Sequence, residues 1–241
     1  MKKLLSILMI LPFMAFAQEV EEQIMTMTQF EIKQGHTAQF KDGVKKYKEC
    51  YTADGGEDQW NFWSRVQGEG TVYGVTSMMD KWAEMDKTDE AGEGCYSIVM
   101  NFIMPHVETV TRDMARTLPD WSRKSAPSEQ PKLVWVTYYK VDDGGDFSDV
   151  IKEVTSAMKK VEGDARGYWY SLIGGDRDNA NYMVSSIYGS YAELDVDRDS
   201  PYEMYVKAKG EKKAEELSKM WKSAGVESWS YIWEFQPDMS K

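Results

Sequence analysis

The chain has 241 residues, with 40 Asp plus Glu against 29 Lys plus Arg and a formal charge of −11. That balance excludes a protein that tracks nucleic-acid phosphates, which needs clustered cations. Nine Trp and fourteen Tyr exclude a disordered chain, and the length suits two compact units of roughly 100 residues each.

Residues 1–17 read as an export signal. Lys2 and Lys3 form the charged start, residues 4–16 the apolar run, and Ala15-Phe16-Ala17 a small-x-small cleavage site. The run is short for a membrane span, and Gln18 follows the cut instead of the Cys that a lipid anchor requires. A soluble periplasmic or extracellular protein without a membrane anchor is expected. Cys50 and Cys95 survive cleavage. They form either one disulfide in an oxidising compartment or two buried thiols, and without CxxC spacing they are not a zinc set.

Ile24–Ile32 reads as a strand, with Phe30 and Ile32 on one face and Met25 and Met27 on the other. Gln34-Gly35-His36 is a turn. A helix follows to about Ala53, striped by Phe40, Val44, Tyr47 and Tyr51. Residues 60–66 and Thr71–Met79 form a hairpin, and Trp82–Asp86 a short helical turn. Val99, Ile103, Val107, Val110, Met114 and Leu118 recur at spacings of three and four. That pattern predicts a second helix over 95–118, kinked or started by Pro105. Trp121 opens a fourth strand, and SAPSEQP is a linker.

The order then repeats. Residues 71–86 (TVYGVTSMMDKWAEMD) align without a gap on residues 180–195 (ANYMVSSIYGSYAELD). A strand over 132–141 precedes a helix carrying Phe147, Ile151, Val154 and Met158. A hairpin follows over 167–173 and 181–188. Ser200-Pro201-Tyr202-Glu203 starts a helix expected to run to Ala224, with Gly225 as its cap. The last strand, 228–235, places Trp229, Tyr231, Trp233 and Phe235 on one face. Trp229-Ser230 matches Trp121-Ser122, which closes the repeat at both ends, and the apolar face of the strand leads to the expectation that Trp229 is buried on a closing strand.

Each unit therefore reads β-α-β-β-α-β. The expected fold is α+β: a first ferredoxin-like repeat over 24–125, a linker over 126–131, and a second repeat over 132–236. The strand of the second unit is apolar on both faces (Leu133, Trp135 and Tyr139 against Val134, Val136 and Tyr138), so both faces must be covered. The sheet of the other repeat supplies that cover, giving an intramolecular pseudo-dimeric barrel with helices outside. With that face already covered, the chain is expected to be a monomer with internal pseudo-twofold symmetry.

On the first strand with FEIKQGHTAQF and the hairpin with SMMDKWAEMD, the chain resembles the dimeric α/β-barrel superfamily. Antibiotic-biosynthesis-type monooxygenases, NIPSNAP-like proteins and stress-responsive barrel domains belong to it. The resemblance spans both repeats. It implies a fold, and as an activity at most cofactor-independent oxidation in an apolar pocket. Heme-degrading members use an Asn on the first strand and a His on the second helix. Thr28 and Thr137 stand at the first position here, and His106 has Ala214 as its counterpart, so no heme residue carries over.

No acid–base pair, nucleophile–base pair or metal set emerges, so no catalytic residue, metal or cofactor is expected. His36 reads as a solvated turn residue and His106 as a helix-surface residue. The acids at 195–199 lack the Gly and Glu of a calcium loop, with Ser200 and Val206 in those places. The candidate site is aromatic: Trp60, Phe62, Trp135, Tyr168, Tyr170, Trp229 and Trp233. These residues either fill a core or line a pocket for a flat apolar ligand oriented by tyrosine hydroxyls. Two functions follow. One is an exported module that binds a small apolar or aromatic ligand between its sheets or beneath its helices. The other is a cofactor-independent monooxygenase acting on a small aromatic substrate.

Overall fold

The computed structural model describes residues 22–126 and 130–241. The expected export signal over residues 1–17 lies outside the described residues, as does the middle of the expected 126–131 linker.

Strand β1 (Ile24–Ile32) alternates as its pattern predicts, and Gly35, at φ 81°, turns the chain into helix α1 (Thr37–Ala53). Helix α1 buries Phe40, Val44 and Tyr51. Strands β2 (Asn61–Arg65) and β3 (Thr71–Met79) form the hairpin, and a 3-10 turn covers Trp82–Asp86. The Asp89 carboxylate accepts from the Gly92 N–H and starts α2 (Glu90–Ile98). A disulfide joins Cys50 on α1 to Cys95 on α2 across a Cα separation of 6.0 Å, which decides between the two states left open by the sequence.

The expected helix over 95–118 is a correction. Helix α2 ends at Ile98. A π-helical turn (Val99–Ile103) and a 3-10 turn (Met104–His106) follow, and then strand β4 (Val107–Thr117). Pro105 removes an N–H that a continuing helix needs. The segment beyond it is rich in β-branched Val and Thr, and it finds a full ladder along β1, from Val107 opposite Ile32 to Arg116 opposite Ile24. Trp121 therefore opens no strand. It sits in a turn closed by Trp121 N–H to Leu118 C=O, buried and edge-on to Trp169.

In the second half, β5 (Leu133–Lys140) leads to α3 (Gly144–Glu162), whose cap is Asp143. Strands β6 (Tyr168–Leu172) and β7 (Tyr182–Tyr188) form a hairpin, followed by a 3-10 turn at Tyr191–Asp195. Ser200 and Glu203 form the expected capping box. The helix that follows is two, α4 (Pro201–Lys209) and α5 (Glu211–Ser223). Gly210, at φ 89° and ψ 159°, breaks the run. Strand β8 is Glu227–Phe235.

All strands are antiparallel and close into one ring, β1-β3-β2-β8-β5-β7-β6-β4, with β4 returning to β1. Two seams join the halves: Trp63 opposite Phe235 on β2–β8, and Arg116 opposite Ser171 on β4–β6. Because side chains alternate, every strand sends one set inward and one outward. Met25 and Met27 from β1 meet Val136 and Tyr138 from β5, Tyr170 from β6 and Met183 from β7 in the barrel interior. The outward set packs beneath helices. Phe40, Phe62, Tyr73, Ile103 and Met239 pack together on one side, and Phe147, Ile151, Tyr139, Trp169 and Tyr182 on the other. Among the described residues, no helix is long and apolar enough to cross a membrane.

Candidate functional site

The barrel interior is incompletely filled. A cavity of about 840 Å³ runs along it and opens at the end where β1, β2, β5 and β6 begin. Its size falls within the range of small-molecule sites, roughly 300–1,000 Å³. Short inward residues leave the room. Gly74 on β3 faces the Trp233 ring, and a Cβ there would approach it to 3.2 Å. Ser185 on β7 and Thr76 on β3 also point inward where bulkier residues would close the space.

The wall is soft and apolar. Met25, Met27, Met78 and Met183 contribute thioethers, and Val134, Val136 and Ile187 contribute branched aliphatic surface. Unbranched methionines adapt to irregular shapes, so this wall can change its outline. Trp63 and Trp233 supply flat surface; the Trp63 indole N–H donates to Thr76 Oγ1 at 3.1 Å, which fixes its ring. The polar groups are few. Tyr138, Tyr168 and Tyr170 point inward, and burial pushes all three phenols up. At Tyr170 the Ser185 hydroxyl partly offsets the shift, and at Tyr168 the Arg123 charge does so. Tyr138 and Tyr170 keep partial accessibility and both line the cavity, so they present neutral hydrogen-bonding groups to its interior.

The far end is plugged. Tyr138 stacks on Trp229 at 5.7 Å, and the Arg65 guanidinium lies 4.8 Å over the Tyr231 ring. Asp113, paired with Met27 in the β1–β4 ladder, accepts from Asn179 Nδ2 at 2.7 Å and ties the β6–β7 loop there. The open end carries the charged rim: Glu57, Asp58, Arg123, Lys124 and Lys241. Asp164 anchors that rim by accepting from the Lys124, Ser125 and Ala165 N–H groups and the Ser125 hydroxyl. Burial alone would raise its carboxyl; those donors outweigh it and hold the pKa at about 2. The Tyr168 hydroxyl donates to the Ser125 carbonyl at 2.9 Å on the same rim.

Of the seven aromatic candidates, the barrel brings four together. Tyr168, Tyr170 and Trp233 line the cavity, and Trp60 borders its mouth, with its indole N–H donating to the Met239 carbonyl. Phe62 is one residue out of phase with Trp63 and lies under α1 in the outer core. Trp135 faces outward and is 38% exposed. Trp229 belongs to the plug and is 36% exposed, a correction to its expected burial. The methionines, Tyr138 and Ser185 were missed. Their shared inward parity was visible along each strand, but which strands face one another across the ring was not.

The spaces beneath the helices are packed. Phe147 is fully buried and sits within 4.8–6.4 Å of the rings of Trp121, Tyr139, Trp169, Tyr182 and Trp221. Ala214 is fully buried among α3, α4 and α5. The histidines are corrections too. His106 lies in the 3-10 turn before β4, and its Nδ1 is 2.9 Å from Nδ1 of His36, both rings being half-buried. The Cys50, Asp54 and Cys95 side chains cluster like metal donors, but both sulfurs are in the disulfide.

No protein-family profile and no curated protein matches the sequence. Solved structures share its fold. A candidate monooxygenase from Fusobacterium nucleatum subsp. nucleatum ATCC 25586 aligns with a TM-score of 0.52 and 13% identity over 90% of this chain and 93% of that one. A candidate monooxygenase from Lactobacillus acidophilus NCFM gives 0.53 and 11% over 89% and 94%. An anthrone oxidase-like protein gives 0.50 and 9% over 91% and 93%. The likeness is one of fold.

Proposed function

We propose that this protein is an exported binding barrel that takes a small apolar or aromatic ligand into its lumen. The observation that carries this reading is the one-ended cavity of about 840 Å³, walled by Met, Val and Trp side chains with a few inward tyrosines. Of the two sites considered, between the sheets or beneath the helices, the packed outer cores favour the first. Export is supported by the Cys50–Cys95 disulfide, a bond typical of oxidising compartments, together with the signal-like residues 1–17. We further read the ring as a tandem duplication. The strand runs β4-β1-β3-β2 and β8-β5-β7-β6 each have the ferredoxin-like order, which supports reading the chain as an internal pseudo-dimer similar to the antibiotic-biosynthesis-monooxygenase, NIPSNAP and stress-responsive barrels.

Native mass spectrometry of the exported protein tests the binding reading. The expected result is a bound small molecule released on denaturation, or saturable uptake of 1-anilinonaphthalene-8-sulfonate at one site per chain. A bare protein that takes up no probe overturns it.

A second reading is cofactor-independent oxidation of the bound aromatic by dioxygen. It draws on the fold neighbours described as monooxygenases and anthrone oxidase-like, and on the Asp113 carboxylate beside the buried Tyr138 phenol at the closed end. Dioxygen uptake with an anthrone distinguishes the two. Turnover that is lost in Asp113→Asn supports the enzyme, and binding without turnover supports the carrier.

A further inference from the structure

We propose that His36 and His106 form a binding site for one Cu(II)-type transition-metal ion. They are the two histidines of the chain, 70 residues apart in sequence, and the fold places their Nδ1 atoms 2.9 Å apart. His36 ends the turn after β1 and precedes α1, while His106 ends the 3-10 turn before β4. Strands β1 and β4 are ladder neighbours, so the approach of the rings is imposed by sheet pairing. Two backbone bonds tighten it: Lys33 N–H to His106 C=O at 3.0 Å, and His36 N–H to Lys33 C=O at 3.0 Å.

The rings now face each other in line, with nitrogens 2.9 Å and centroids 5.2 Å apart, so ligation requires both to turn out of that line toward a common ion. An ion at about 2.0–2.1 Å from each nitrogen, with that 2.9 Å separation kept, subtends about 90°. That angle is the cis angle of a tetragonal centre and too narrow for a tetrahedral one, which favours Cu(II) or Ni(II) over Zn(II). Copper binds most tightly in the divalent series with such donors. Both rings are half-buried and reachable from solvent. Without metal, one Nδ1–H donates to the other Nδ1. On binding, the donor ring carries its proton on Nε2 instead, both rings turn so that the two Nδ1 lone pairs face the ion, and no net proton is released. Lys33, three residues before His36, donates its Nζ to the Pro105 carbonyl at 2.9 Å. Among the described residues no acidic or thiolate side chain joins the pair as a third donor. The remaining positions are therefore left to water or a small exogenous ligand.

The test is titration of the chelator-treated protein with copper sulfate in a glycine buffer, followed by calorimetry and pulsed electron paramagnetic resonance. The expected result is one Cu(II) per chain with modulation from two equatorial imidazoles. Because the chain has two histidines, that modulation assigns the site without any variant. His36→Asn and His106→Gln are each expected to weaken binding at least tenfold while circular dichroism is unchanged. Copper held without imidazole modulation, or with equal affinity in both variants, overturns the proposal. So does a wild-type protein that binds no copper against glycine.

Discussion

Trp229 lies opposite Tyr138 in the β5–β8 ladder and stacks on it while 36% of its own surface stays open. Removing it costs a stacking contact and partial burial, not a filled core position. Trp229→Ala should therefore cost about 1–2 kcal/mol, below the range for a buried Trp. Urea unfolding checks this, and a loss above about 3 kcal/mol would mean that the plug is structural. Ser185 is the opposite case, a small inward residue in front of open space. Ser185→Phe should fill part of the lumen and weaken uptake of 1-anilinonaphthalene-8-sulfonate at least tenfold, with a melting temperature within a few degrees of wild type. Equal uptake in that variant would place the probe elsewhere. Asp164 gives a pH signature. Its carboxyl is depressed from 3.8 to about 2, so the stabilisation it provides is complete above pH 3.8 and lost as pH falls through about 2. The melting-temperature difference between wild type and Asp164→Asn should therefore shrink over that interval. A constant difference would show that the rim anchor is not the carboxylate.

At the scale of elements, most of the fold was legible because most strands and helices carry one unambiguous period. Thr71–Met79, Trp82–Asp86 and the Ser200–Glu203 cap stand where the pattern places them. The segment 107–118 was misread because Val107, Val110 and Met114 fit a helical spacing over a short stretch, and the free edge of β1 that recruits it lies 70 or more residues away in the chain. The seven aromatic candidates scattered for a similar reason: composition marks aromatic strands but not the phase in which each enters the ring. The first helix layer shows what close packing demands. A Cβ on Gly43 of α1 would lie 2.1 Å from the Phe102 carbonyl oxygen in the π-helical turn. Gly43→Ala should destabilise by about 1–3 kcal/mol despite its better helix propensity, with α1 displaced from the turn. An unchanged or raised stability would show that the turn yields freely.

For the whole molecule, the disulfide and the ring set stability and assembly. The bond closes a loop with a sequence separation of 45, for which chain entropy gives up to about 4 kcal/mol. The Cys50→Ala, Cys95→Ala double variant should lose about 2–4 kcal/mol in urea unfolding, and an unchanged midpoint would leave the bond without a stabilising role. The inward faces of β1 and β5 meet within one chain, which removes the reason to pair through them with a second copy. Light scattering should give the mass of one chain; twice that mass would call for another contact surface. The β2–β8 seam has a further consequence for the order of folding. Trp63 must find Phe235, and the Trp60 backbone exchanges both hydrogen bonds with Lys241. No amount of early pairing closes the ring, because β2 has no seam partner until β8 has been synthesised. Such distant pairings fold slowly. A nascent chain thus remains an open ribbon with its lumen unmade until the last strand arrives, so any molecule held in the lumen can enter only after synthesis is complete.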